Sequence, residues 1–282
     1  MALTFNDICV FLEKIEVISI RCPRLSSEGK KAAIRRIIRN WFSEHRLIID
    51  SPDTNGGALL STLFPHRRKD RVYGFRPKML SQKLIKLLNF SHEQRELMCK
   101  WPTTVPSDLG MRTANAMRRW DGTVRKKQPI LLERVDRLLA QLAARHRFSD
   151  PTIQKKRDCD IDTDAELKDI FIRIESVEAK WLVRLLLRQY CTIELDEDFV
   201  LEQYHFLLPD LLKFQNDFDV ASSLLLQDMS TFPSVPDPAS KRAMRIEAAE
   251  KLKPTVGVKV GRPTFYKAWV SHYNPSINDH VH

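Results

Sequence analysis

Lys180, Arg184 and Arg188 stand four residues apart in "EAKWLVRLLLRQY" (178–190). Four residues of helix advance by about 400°, so the three cations make one slowly drifting stripe. Trp181, Leu182, Val183, Leu185, Leu186 and Leu187 cover the rest of the circumference. Such a helix reads either as a buried one whose single wet edge is basic, or as one whose seam faces something negatively charged. A second cationic set lies in "LFPHRRKDRVYGFRPKML" (63–80). There Arg67, Arg68, Lys69 and Arg71 fall between Pro65 and Gly74, with Tyr73 among them. Arginines in such a turn are placed to bond phosphate oxygens; the same turn also reads as an ordinary solvated loop.

Two further stretches invite chemistry and do not support it. "RRWDG" (118–122) has the outline of a Lys-x-Asp-Gly nucleotidyl transferase signature, but the nucleophile position is Arg119. That chemistry needs an amine that loses its proton and attacks phosphorus, and a guanidinium stays protonated. Asp158, Asp160, Asp162, Asp164, Glu166 and Asp169 have calcium-loop spacing at their start. The glycine at the sixth position and the glutamate at the twelfth are absent, so a solvated acidic loop that caps the next helix is expected. His280 and His282 stand at the chain's end. There is no phosphate-binding glycine loop and no nucleophile elbow. The sequence offers no catalytic constellation and no metal site.

The charge is divided along the chain. Residues 1–150 carry 29 Lys/Arg against 15 Asp/Glu, a net of +14; residues 151–250 carry 12 against 20, a net of −8; residues 251–282 carry 5 against 1, a net of +4. The cation-rich first half suits a polyanion such as DNA or RNA. Five cysteines (9, 22, 99, 159, 191), without a CxxC pair, point to reduced thiols in an intracellular protein. No apolar run reaches the roughly 18 residues a membrane span needs, so no membrane partner is expected.

The elements that carry these residues are helical throughout. Phe5, Ile8, Phe11, Leu12, Ile15 and Ile18 recur at three- and four-residue steps. Ser26 or Ser27 caps a helix with Ile34, Ile37, Ile38, Trp41 and Phe42 on one face and Lys30, Lys31, Arg35, Arg36 and Arg39 on the other. Pro52, Gly56 and Gly57 mark a loop, Ser91 an N-cap, and Pro129 the start of a helix through 145. Residues 149–164 read as a polar loop, and 231–240, with three prolines, as a connector before a last helix at about 239–252. The fold class is all-α, an irregular multi-helix domain.

"DRVYGFRPKMLSQKLIKLLNFS" (70–91) resembles the Arg-x-x-Tyr-Gly element in the N-terminal domain of eukaryotic ATP-dependent DNA ligases, closest to the DNA ligase IV type. "ESVEAKWLVRLLLRQYCTIELDEDFVLEQYH" (175–205) resembles that domain's Glu-x-Lys-Trp-Leu-x-Arg helix pair, and "ILLERVDRLLAQLA" (130–143) is similar to the helix between them. The likeness spans about residues 5–255. It implies a DNA-binding helical domain over 1–255 that wraps duplex DNA at nicks or breaks, and a tail over 256–282 that resembles the linker to an adenylation domain. It also implies a role in nuclear DNA repair and recombination by end joining, with double-stranded DNA and end-joining proteins as partners.

On this resemblance Trp181 and the leucines are core and Arg184 is structural. Lys180 and Arg188 face either acidic groups in the fold or DNA. The basic turn, by its own composition, makes Arg67, Arg68, Lys69 and Arg71 the expected DNA contacts beside them. Cys191-Thr192-Ile193 stands where the family usually has a glycine. The family's Lys-x-Asp-Gly nucleophile does not follow the linker-like stretch, so the chain alone is not expected to ligate and needs no cofactor. ATP and magnesium belong to the complete family enzyme. The chain is then a fragment, a truncated reading of a gene, or a paralogue without its catalytic half. The alternative function is a helical protein-interaction module built on the same scaffold.

Overall fold

The apolar spacing yields fifteen α-helices among the described residues. The structure is a computed structural model and describes residues 2–21, 25–99, 108–121, 129–190 and 193–251. The first eight helices are α1 (Phe5–Arg21), α2 (Ser27–Glu44), α3 (Arg46–Ile49), α4 (Gly56–Leu63), α5 (Pro77–Leu87), α6 (His92–Cys99), α7 (Leu109–Met117) and α8 (Leu132–Ala144). They are followed by α9 (Pro151–Gln154), α10 (Thr163–Arg173), α11 (Ser176–Leu187), α12 (Glu197–Tyr204), α13 (Leu208–Phe214), α14 (Phe218–Leu226) and α15 (Lys241–Lys251). The one extended pairing among the described residues is a bridge between Thr4 and Leu131. A single core runs from Leu3 to Ala248, with Trp181, Phe5, Phe11, Phe42, Phe64 and Phe171 fully enclosed. The expected domain boundary at 255 and the tail 256–282 lie outside the described residues.

Local chemistry sets most helix ends. Ser26 Oγ accepts the Gly29 N–H, and Ser91 Oγ accepts from Gln94 while the Gln94 side chain accepts the Ser91 N–H. Three boundaries differ from the sequence reading. Gly56 and Gly57 open α4 instead of forming a loop, with Asn55 as the cap. A Cβ on Gly56 would lie 1.9 Å from Tyr204 Oη, and one on Gly57 2.0 Å from Asp219 Oδ1. These glycines therefore serve close packing, which turn statistics cannot reveal. The helix after Pro129 starts only at Leu132, because Ile130 O accepts the Phe5 N–H and Leu132 N–H donates to Leu3 O. Within the 149–164 loop, Asp150 caps the short α9, with Pro151 at its first position.

Glu178 in the first turn of α11 accepts the Glu175 N–H at 2.9 Å in a capping box. Burial raises its pKa to about 7 from an ordinary 4.5, and Glu175, Asp121 and Asp7 add repulsion. A carboxyl raised in the folded state stabilises fully below its unfolded pKa. That contribution is lost as pH rises through the folded value. Glu178→Gln keeps the acceptor and removes the charge. It is expected to match the parent's stability near pH 4.5 and exceed it at pH 8 by up to about 3 kcal/mol. Urea unfolding at both pH values measures this; an equal gap at both would refute it.

Candidate nucleic-acid interface

The cationic stripe of α11 points inward. Lys180 and Arg184 are 3% and 1% exposed. Lys180 Nζ bonds Glu13 and, at 2.6 Å, Glu16 of α1. Arg184 bonds Glu16 and Asp108 at 2.7 Å each. The Trp181 indole N–H donates to Glu13 at 3.2 Å, and its ring carries Lys180 Nζ at 4.9 Å and Arg184 Cζ at 4.6 Å from its centroid. The anions that the stripe faces are thus the domain's own carboxylates. This corrects Lys180 as a DNA contact: its amine lies in a buried ion cluster with no phosphate-sized access.

Arg188 ends α11 in the left-handed region, at φ 55°. Its guanidinium donates to Pro65 O at 3.1 Å, Arg71 O at 3.2 Å and His66 O at 3.4 Å. Arg188 therefore fixes the 65–71 turn from a half-buried position, with three of its N–H donors on backbone carbonyls. Cys191 and Thr192, where the family glycine was sought, lie outside the described residues.

Within that turn only one cation is free of ion pairs. Arg68 and Arg71 are each 5% exposed. Arg68 bonds Asp70, Asp219 at 3.0 Å and Ser61 Oγ at 3.0 Å. Burial opposes its charge, but Asp219 and Asp70 more than offset this, so its pKa stands above the ordinary arginine value. Arg71 bonds Asp136 of α8 at 2.5 Å. Arg67 is half-buried, with Glu197 at 2.9 Å and Asn216 at 2.8 Å. Tyr73 is in the core. Arg68 and Arg71 are corrected to fold-holding residues, because each compensates a carboxylate at a helix junction. The turn as a whole is part of the scaffold. Of its lysine and arginines, Lys69 alone is exposed.

The turn leads to a basic rim that the sequence reading passed over. Gly74, at φ 70°, lets His146 lie against it; a Cβ there would be 2.5 Å from His146 Cδ2. Asp150 N–H donates to Asp70 O at 2.9 Å. Ser149 Oγ accepts from Val72 N–H at 3.0 Å and donates to Val72 O at 3.2 Å. Gln154 Nε2 donates to Arg147 O at 3.2 Å and Ser149 O at 2.6 Å. These bonds join the 69–74 turn, the 146–150 connection and α9 into one unit.

On this unit Lys69, Arg147, Lys155, Lys156 and Arg157 are all exposed. Of the nearby carboxylates, Asp70 pairs with Arg68, Asp150 accepts from the Thr152 N–H and hydroxyl, and Asp158 accepts from the Asp160 N–H. The run "QKKRD" (154–158) was the available signal, lost inside a stretch read as featureless loop.

The remaining candidates are structural. Asp121 of "RRWDG" accepts from Ser176 N–H at 2.8 Å and Ser176 Oγ at 2.5 Å, while Trp120 packs on Phe90. Arg119 bonds Glu93. Asp162 caps α10, and Glu166 and Asp169 bond Arg134 at 2.7 and 2.8 Å. Among the described residues no cluster of His, Cys, Asp and Glu could hold a metal, and no helix is long and apolar enough to cross a membrane.

The family model described as DNA ligase N terminus matches residues 4–205. The chain belongs to that family, the N-terminal domain of ATP-dependent DNA ligases. No curated protein matches the chain. The matched span of this ligase N-terminal domain takes in the buried α1–α11 ion cluster, the 65–74 turn and the basic rim around α9.

Proposed function

We propose that this ligase N-terminal domain binds duplex DNA through its backbone phosphates, at nicks or breaks, with little sequence preference. The rim of Lys69, Arg147, Lys155, Lys156 and Arg157 carries the reading. Five exposed cations on one stitched surface supply counterion release, which depends on phosphates and carries no sequence information. In a complete enzyme the domain would hold DNA while an adenylation domain uses ATP and magnesium. The sequence likeness of residues 70–91 and 175–205 is what supports a place in nuclear repair and recombination, in end joining of the DNA ligase IV type, alongside end-joining proteins.

Titration of a labelled nicked duplex at low and moderate salt tests the reading. Affinity is expected to fall steeply as salt rises, by about 0.9 log units per log unit of salt for each phosphate neutralised. Binding that ignores salt, or none at low salt, would refute it and favour the protein-interaction alternative.

A further inference from the structure

Phe148 is 68% exposed at the tip of the connection between α8 and α9. An exposed phenyl ring is ordinary in isolation; this one sits among cations. Arg147 Cζ lies 4.5 Å from its ring centroid. The His146 ring is 5.6 Å away, tilted by 51°, and His146 Nδ1 accepts the Phe148 N–H at 3.3 Å. Lys155, Lys156 and Arg157 follow on the same unit, tied to it through Gln154.

A protein partner seated on this ring would have to bring both an apolar face for the ring and a carboxylate for each cation, since burying unpaired cations is costly. A nucleic acid meets both demands with one ligand. Its phosphates take the cations, and the flat face of a base takes the ring. Paired bases inside a duplex hide their faces in the stack, so the base must be unpaired.

We infer that Phe148, backed by Arg147, is a stacking platform for an unpaired base in the single-stranded overhang of a DNA end. Lys155, Lys156 and Arg157 hold the adjoining phosphates. The phenyl ring has no hydrogen-bonding group, so stacking tolerates any base. This inference rests on the duplex-binding reading above and adds a ligand class to it.

The test compares two duplexes with overhangs of equal length, one carrying bases and one abasic, so that phosphate number is constant. The complete chain is expected to bind the base-bearing overhang at least about fivefold more tightly. 2-Aminopurine placed in the overhang should lose fluorescence on binding. Phe148→Ala and Phe148→Leu should bring the ratio of the two affinities to about one, and Phe148→Trp should keep it. The ring's exposure makes misfolding of these variants easy to exclude by melting temperature.

Equal affinities in the parent, or a ratio that survives in Phe148→Leu, would overturn the inference and leave the ring to a simple apolar or protein contact. If neither duplex is bound at low salt, the duplex-binding reading has failed and the inference falls with it. If both are bound equally, only the stacking platform has failed.

Discussion

Arg184→Met is expected to destabilise the domain by about 3–5 kcal/mol. Arg184 is 1% exposed and bonds Glu16 and Asp108 at once. Methionine approximates its length and fills much of its volume, so the loss is not chiefly a cavity. It comes from the carboxylates. Glu16 is itself buried and would lose one of the two cations of α11 that it bonds, keeping Lys180, and Asp108 would lose Arg184 while still capping α7 through the Met111 N–H. An uncompensated buried charge is among the few single changes that remove a third or more of a domain's stability. Urea unfolding near pH 7 measures the effect. A loss below about 1 kcal/mol would mean that water or rearrangement already screens the cluster.

The second large effect falls on binding, not stability. Replacing Arg147, Lys155, Lys156 and Arg157 together by glutamine is expected to weaken duplex binding at low salt by at least roughly tenfold. It should also flatten the salt dependence by up to about one unit of slope per cation. All four side chains are exposed, so each change should cost less than about 0.5 kcal/mol of stability. A matched variant of Arg68 and Arg71 separates the two roles. Those arginines bond Asp70, Asp219 and Asp136 inside the fold, so their loss should lower the melting temperature sharply. If the rim variant binds like the parent, the DNA path lies elsewhere on the domain.

The all-helical fold was legible in the sequence because apolar period and caps act locally. Ser26, Ser91 and the face of Ile38, Trp41 and Phe42 could be read from spacing alone. The charged residues were not legible in the same way. Arg68 and Lys69 are neighbours, yet one is buried on Asp219, 151 residues away, and the other is solvated. Only tertiary placement decides which cation meets a carboxylate. A dense cationic motif therefore drew attention to Arg67, Arg68 and Arg71, which the fold consumes. The shorter run Lys155-Lys156-Arg157 stays exposed just past α9, while Asp162 caps α10 and Glu166 and Asp169 bond Arg134. Gly56 and Gly57 failed for a related reason: their role is set by Tyr204 and Asp219.

The ion cluster beneath Trp181 also sets a schedule for the chain during synthesis. Arg184 meets Glu16 across 168 residues and Asp108 across 76. While the ribosome still holds residues 180–184, Glu13 and Glu16 on the first helix lack the two cations of α11 that they bond in the finished fold. Long-range closure of this kind is slow, because loop entropy is spent before the contacts that reward it exist. The N-terminal helices must then wait for α11 to emerge before they settle. A nascent chain halted short of residue 184 would carry exposed apolar helices rather than a finished domain, and would depend on chaperones until elongation resumed.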